Sequence, residues 1–117
     1  MHRHPCITLY YFLDESDFLV RIFIKWYAFI MTKTASTILL IEDEPQQQEA
    51  LKTVFMREGF RVEIASDGNE GLASVRTLMP DVIVLDLLMP VLNGFAFLEK
   101  FNADALLKHI PVIILTN

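Results

Sequence analysis

The chain has 117 residues, a formal net charge of −5 and 53% hydrophobic residues. That length supports one domain around one core, and the hydrophobic content excludes a disordered acidic segment. No Lys/Arg cluster stands out, which argues against direct nucleic-acid binding by this segment, and the single cysteine, Cys6, excludes an internal disulfide and points to a reducing, cytoplasmic setting.

Residues 1–36 differ in character from the remainder of the chain. Two apolar patches, Ile7 to Leu13 and Phe18 to Met31, are separated by Asp14, Glu15 and Asp17. The second patch contains Arg21 and Lys25 and is shorter than the ~20 apolar residues of a spanning helix. A secretory signal fits poorly, because acidic residues precede the apolar run and no small-residue cleavage site comes after it. Three readings stay open. The stretch could be an interfacial amphipathic segment that brings residues 18–31 to a membrane, or an extra strand or helix docked on the domain. The favoured reading is a stretch upstream of a translational start at Met31, since Thr32-Lys33-Thr34-Ala35-Ser36 makes the loose polar lead-in of a compact domain. The expected division is an atypical extension over 1–36 and one domain over 37–117. His2, His4 and Cys6 alternate but have no fourth ligand in view, and read as an unstructured end.

From Thr37 the pattern becomes regular. Ile38-Leu39-Leu40-Ile41 is a fully apolar run, as in a parallel strand buried on both faces, and it runs into Glu42-Asp43-Glu44-Pro45. Pro45 suits the first position of a helix. Ala50, Leu51, Val54 and Phe55 then give that helix one buried face, and Gly59 is a good stop. Arg61 to Ala65 alternates polar and apolar, which suits an edge or half-covered strand. Ser66-Asp67-Gly68 is turn chemistry with a cap for the next helix, whose buried face is expected at Leu72, Val75 and Leu78, ending before Pro80.

Asp81 opens the central stretch, Val82-Ile83-Val84-Leu85-Asp86, a buried strand that ends in a carboxylate. Pro90 and Gly94 shape the loop after it. A helix comes next, with Phe95, Leu98 and Phe101 expected on its buried side, then a connector from Ala103 to His109 with a short helical turn. Pro111 to Thr116 is the last strand and ends in a hydroxyl. The order from Thr37 is β-α-β-α-β-α-β, which implies α/β architecture: a doubly wound parallel sheet with helices on both faces.

Strand ends of this kind carry chemistry. In open α/β sheets, ligands bind at the C-terminal edge, at the switch point between the first and third strands. Glu42, Asp43 and Asp86 would converge there. Three carboxylates so close repel and raise one another's pKa unless a cation binds. A hard divalent ion answers this, and Mg2+ suits it because it takes one or two carboxylates, keeps waters and recruits phosphate oxygens. Asp86 could then act as a nucleophile toward a phosphoryl donor, with Thr116 hydrogen-bonding a phosphoryl oxygen. Taken singly, a strand-end Asp is usually a cap and a strand-end Thr a β-branched strand residue. Their convergence is what raises the site reading.

These residues resemble a known family. Ile38 to Pro45 looks like the acidic first-strand motif of response-regulator receiver domains. Val82 to Asp86 with Met89-Pro90 and Asn93-Gly94 resembles their phospho-acceptor motif, and Pro111 to Thr116 their fourth strand with its switch residue. The resemblance implies a flavodoxin-like sheet with the four strands counted from Thr37 in the order 2-1-3-4. It implies that Asp86 accepts a phosphoryl group from a histidine kinase or phosphotransfer protein. Asp43 would hold Mg2+ directly, Glu42 directly or through water, and the Leu88 carbonyl would be a further ligand. Thr116 would be the switch that carries the signal to a downstream output protein or domain. Such a domain is a signalling switch and not an enzyme, beyond at most weak self-dephosphorylation.

The chain departs from the family in one respect. The fifth strand, with its phosphoryl-pairing Lys, and the fifth helix have no counterpart before Asn117, and Lys108 precedes the last strand and is not placed for that role. A receiver fragment with a bare edge on its last strand is therefore expected, and a truncated, non-phosphorylated interaction module is the runner-up. A haloacid-dehalogenase-like phosphatase would need a general acid where Leu88 stands. A flavodoxin-like cofactor site would need a Gly/Ser/Thr-rich phosphate loop where Glu42-Asp43-Glu44-Pro45 stands.

Overall fold

The two apolar runs that end in carboxylates lie side by side at the centre of a parallel sheet. A computed structural model of the chain describes residues 8–12, 36–86, 89 and 94–116. The elements are β1 (Thr8–Phe12), β2 (Thr37–Ile41), α1 (Pro45–Arg57), β3 (Arg61–Ala65), α2 (Gly68–Leu78), β4 (Val82–Asp86), α3 (Gly94–Ala103) and β5 (Val112–Thr116). All strand pairs are parallel, in the order β1-β5-β4-β2-β3.

Alternation along each strand sends neighbouring side chains to opposite faces, and the two faces build two cores. Leu39, Ile41, Ile83, Leu85, Val112 and Ile114 pack with Leu72 and Val75 of α2 and Phe97 and Phe101 of α3. Ile38, Leu40, Val82, Val84, Ile113 and Leu115 pack with Leu51 and Phe55 of α1. Residues Ile38 to Ile41 and Ile83 to Leu85 are completely buried, as continuous apolar strands in a covered parallel sheet should be. The alternating strand β3 takes the outer position beside β2, in agreement with its pattern.

Local chemistry sets the helix ends. Pro45 opens α1, and Gly59, at φ +94°, comes after its last turn in the left-handed region that glycine tolerates. Asp67 caps α2 by accepting the Glu70 N–H at 2.8 Å, and Glu70 Oε2 accepts the N–H of Ser66, the residue before the cap, at 3.2 Å. Gly71 faces β2 so closely that a Cβ there would sit 2.6 Å from Ile41 Cδ1. At the opposite edge of the sheet, Asp81 Oδ2 accepts the Thr37 N–H at 2.7 Å and the Asp81 N–H donates to the Thr37 carbonyl at 3.0 Å, clasping β2 to β4.

Two expected core positions are corrected. Phe95 is 62% exposed and Leu78 is 36% exposed. On α3 the buried stripe runs through Gly94, Phe97 and Phe101, with Leu98 packed at its border. Phe97 and Phe101 stack with centroids 5.6 Å apart, which turns Phe95 outward. Leu78 is the final residue of α2, past the turns that press on the sheet.

The strands from Thr37 onward take the expected order, here β3-β2-β4-β5. The bare edge expected on the last of them is not found. β1 runs along β5 in register from Thr8↔Val112 to Phe12↔Thr116, so residues 8–12 dock as an extra strand. Its Thr-Leu-Tyr-Tyr-Phe sequence is rich in strand formers, and pairing satisfies a backbone row that β5 would otherwise leave open. The patch over residues 18–31, together with His2, His4 and Cys6, lies outside the described residues. Successive residues of a strand point their N–H groups to opposite sides, so one proline of a Leu9→Pro/Tyr10→Pro pair must interrupt the β1–β5 ladder. That double variant is expected to raise amide hydrogen exchange across residues 112–116 while β2 keeps its protection. Unchanged exchange in β5 would show that β1 does not guard this edge.

Candidate functional site

The site is built where β2 and β4 release their chains. Ile41 and Leu85 are register partners, so Glu42 and Asp86 come next on adjacent strands at the same C-terminal edge. The Glu42 N–H donates to the Ala65 carbonyl at 3.0 Å, which extends the pairing with β3 by one residue and holds Glu42 in the sheet. Asp43 lies in the turn before α1. One carboxylate oxygen from each of Glu42, Asp43 and Asp86 lies within 4.8 Å of the other two. The sequence pointed to these three residues, and the fold brings them together.

The electrostatics are those of crowded anions. Glu42 is only 4% exposed, and its carboxyl is pushed up from the usual value near 4.5 to about 8. Burial is the main cause. A side-chain hydrogen bond with Asp86 and the negative charges of Asp86 and Asp43 add to it, and the Glu44 backbone opposes it. At neutral pH the cation-free site therefore keeps a proton on Glu42. The donor set is all carboxylate oxygen, which fits a hard divalent cation and offers nothing to a soft one.

Two other candidate residues stand differently. Thr116 closes β5, one position past Leu115, the register partner of Asp86. Leu88 lies outside the described residues. Lys108 falls before β5, at the end of the sheet opposite the acidic edge. Gln48 was not singled out by the sequence. Its Nε2 donates to the Glu42 carbonyl at 2.6 Å and to Ser66 Oγ at 3.3 Å, which places it directly behind the acidic turn. The only sequence signal was a polar residue one turn into the helix that comes after the acidic motif.

The chain belongs to the response regulator receiver domain family, which it matches over residues 38–117. It is similar to protein PilH of Pseudomonas aeruginosa, 38% identical over 79 residues that cover 68% of this chain and 65% of PilH. It is also similar to the DNA-binding response regulator MtrA of Mycolicibacterium smegmatis, 37% identical over 79 residues covering 68% of this chain and 33% of MtrA. The chain thus spans a third of MtrA and just under two thirds of PilH. Among solved structures it resembles the receiver domain of a Pseudomonas aeruginosa sensor histidine kinase, which has a magnesium ion coordinated in its active site cleft. That likeness has a TM-score of 0.68 and 30% identity, and covers 71% of this chain and 68% of the other. The flavodoxin-like receiver fold that the resemblance implied is the fold observed, and the chain is a receiver of two-component signalling.

Glu42 makes stability depend on pH. Its folded-state pKa lies above its unfolded value, so the folded state holds the proton more tightly. The contribution is complete below about pH 4.5 and is lost as pH rises through about 8. With a chelator present, Glu42→Gln is expected to be more stable than the parent at pH 8, on the order of 4 kcal/mol at about 1.4 kcal/mol per pKa unit. The gap should close near pH 5. Urea unfolding across this range tests it, and parallel pH profiles for the two proteins would contradict it.

Proposed function

We propose that this chain is the phosphoryl-accepting receiver of a phosphorelay, with Asp86 as the acceptor. The observation that carries this reading is the meeting of Glu42, Asp43 and Asp86 within 4.8 Å at the C-terminal edge of the sheet. The donor is the phosphohistidine of a histidine kinase or a phosphotransfer protein. An Asp86 carboxylate oxygen attacks the phosphorus, an O–P bond forms as the P–N bond breaks, and the imidazole nitrogen leaves. Asp86 becomes an acyl phosphate.

Asp43, Asp86 and Glu42 would hold Mg2+, with the Leu88 carbonyl as a further ligand. When bound, the ion supplies charge compensation between the carboxylates and the incoming phosphoryl oxygens. Asp43 fixes the cation side of the site. Glu42, which holds a proton in the cation-free site, would have to ionise to serve as a ligand, and would then add a second negative charge beside Asp86. Thr116, at the end of the neighbouring strand, is the switch hydroxyl that approaches the phosphoryl group and passes the change to an output protein or domain in the cytoplasm. The chain's own chemistry then ends at acceptance and slow hydrolysis of the acyl phosphate.

Two outcomes test this reading. Incubation with acetyl phosphate and Mg2+ should add the mass of one phosphoryl group to the parent and not to Asp86→Asn. Equal labelling of both proteins would remove Asp86 as acceptor. Calorimetry in buffers of different ionisation enthalpy should show that Mg2+ binding at pH 7 releases close to one proton, falling toward none by pH 9, because Glu42 is then already ionised. Proton release that does not change with pH would contradict the role given to Glu42.

A further inference from the structure

The acidic edge is held from behind by a side chain that the phosphoryl chemistry does not use. Gln48 lies in α1, and its Nε2 donates at 2.6 Å to the carbonyl oxygen of Glu42 and at 3.3 Å to Ser66 Oγ. Its backbone N–H donates to the Glu44 carbonyl at 2.9 Å. One residue therefore joins the end of β2, the start of α1 and the turn after β3. The turn is held as well by the Glu42 carboxyl, which hydrogen-bonds the Asp86 side chain and accepts from the Glu44 backbone N–H. Glu44, the N-cap of α1, makes no side-chain capping bond, and the Glu42 N–H is tied to the Ala65 carbonyl on the β3 side, at 3.0 Å. Ser66 is itself anchored, since its N–H donates to Glu70 Oε2 at 3.2 Å. Gln48 is the link from α1 and the β3 turn to the carbonyl one residue before Asp43, and so contributes to where the Asp43 carboxylate sits relative to Asp86.

The residue type suits the task. A carboxylate at position 48 could not donate to a carbonyl, and an ammonium or guanidinium would bring a positive charge to the cluster that has to receive a cation. A neutral amide supplies the donor and leaves the field of the three carboxylates unchanged.

We propose that Gln48 is a positioning residue for the cation site. Its clamp on the Glu42 carbonyl sets the spacing of Asp43 and Asp86 and so favours a small octahedral ion over a larger one. The inference rests on the cation reading of the site. Mg2+ demands near-ideal octahedral geometry, whereas Ca2+ accepts irregular oxygen sets. A loosened turn should therefore cost Mg2+ more than Ca2+, which mere loss of fold or charge would not do.

The test is calorimetric titration of the full chain with Mg2+ and with Ca2+, beside thermal unfolding. Gln48→Met keeps the length and helix propensity of the side chain and deletes its donor. It should weaken Mg2+ binding by about tenfold, change Ca2+ binding by less than about threefold, and leave the unfolding midpoint close to the parent's. Ser66→Ala removes the second anchor of the Gln48 amide and should shift the Mg2+/Ca2+ ratio the same way by a smaller factor. It also carries the test if Gln48→Met fails to fold. Equal weakening of both ions, or no change in either, would overturn the positioning role. Asp86→Asn separates that failure from failure of the site itself. Loss of binding for both ions there upholds the cation site, while unaltered binding there removes the site and the role of Gln48 with it.

Discussion

Repulsion among three carboxylates at one sheet edge is the constraint on which the site depends. Glu42, Asp43 and Asp86 are brought within 4.8 Å by the pairing of β2 with β4, a contact that the buried side chains of both strands enforce. A fold that uses two buried central strands to deliver negative charge to one point leaves that point crowded with like charge until something positive arrives. The proton on Glu42 relieves this in the cation-free protein. A divalent ion would relieve it more completely and, under the proposed function, would prepare the edge for a phosphoryl group. Proton and cation are thus alternative answers to one electrostatic problem, which an incoming phosphoryl group would sharpen.

The rest of the architecture keeps that edge in place. Two cores, one on each face of the sheet, hold β2 and β4 so that neither can shift register without moving a full set of apolar side chains to the wrong face. The Thr37–Asp81 clasp fixes the same two strands at the far end. β1 completes the sheet beyond β5, next to the strand that carries Thr116. The N-terminal segment is in this way tied to the strand that would report the state of Asp86.

Much of this was legible in the residues. Uninterrupted apolar runs at Ile38–Ile41 and Val82–Leu85 read as doubly covered strands, and each ran straight into an acidic residue, so the site emerged from the topology. Pro45, Asp67 and Gly59 marked helix ends through backbone chemistry that acts locally. What could not be read depended on contacts between distant segments. Phe95 and Phe97 are equally apolar, and only the stacking of Phe97 on Phe101 decides which one faces the sheet. The partner of β5 could not be chosen from its own sequence, because an open edge accepts any strand of suitable composition. Gln48 gave only the weak signal of a polar residue one turn into α1, because its bond goes to a backbone carbonyl and every residue has one.

The central claim is that the three carboxylates form one cation site. The most direct measurement is the anomalous scattering of crystals soaked in Mn2+, a heavier ion with similar oxygen preferences. One strong peak is expected at the C-terminal edge of β2 and β4, at about 2.1–2.2 Å from carboxylate oxygens of both Asp43 and Asp86. A map with no peak there, and Glu42, Asp43 and Asp86 still clustered, would contradict the claim.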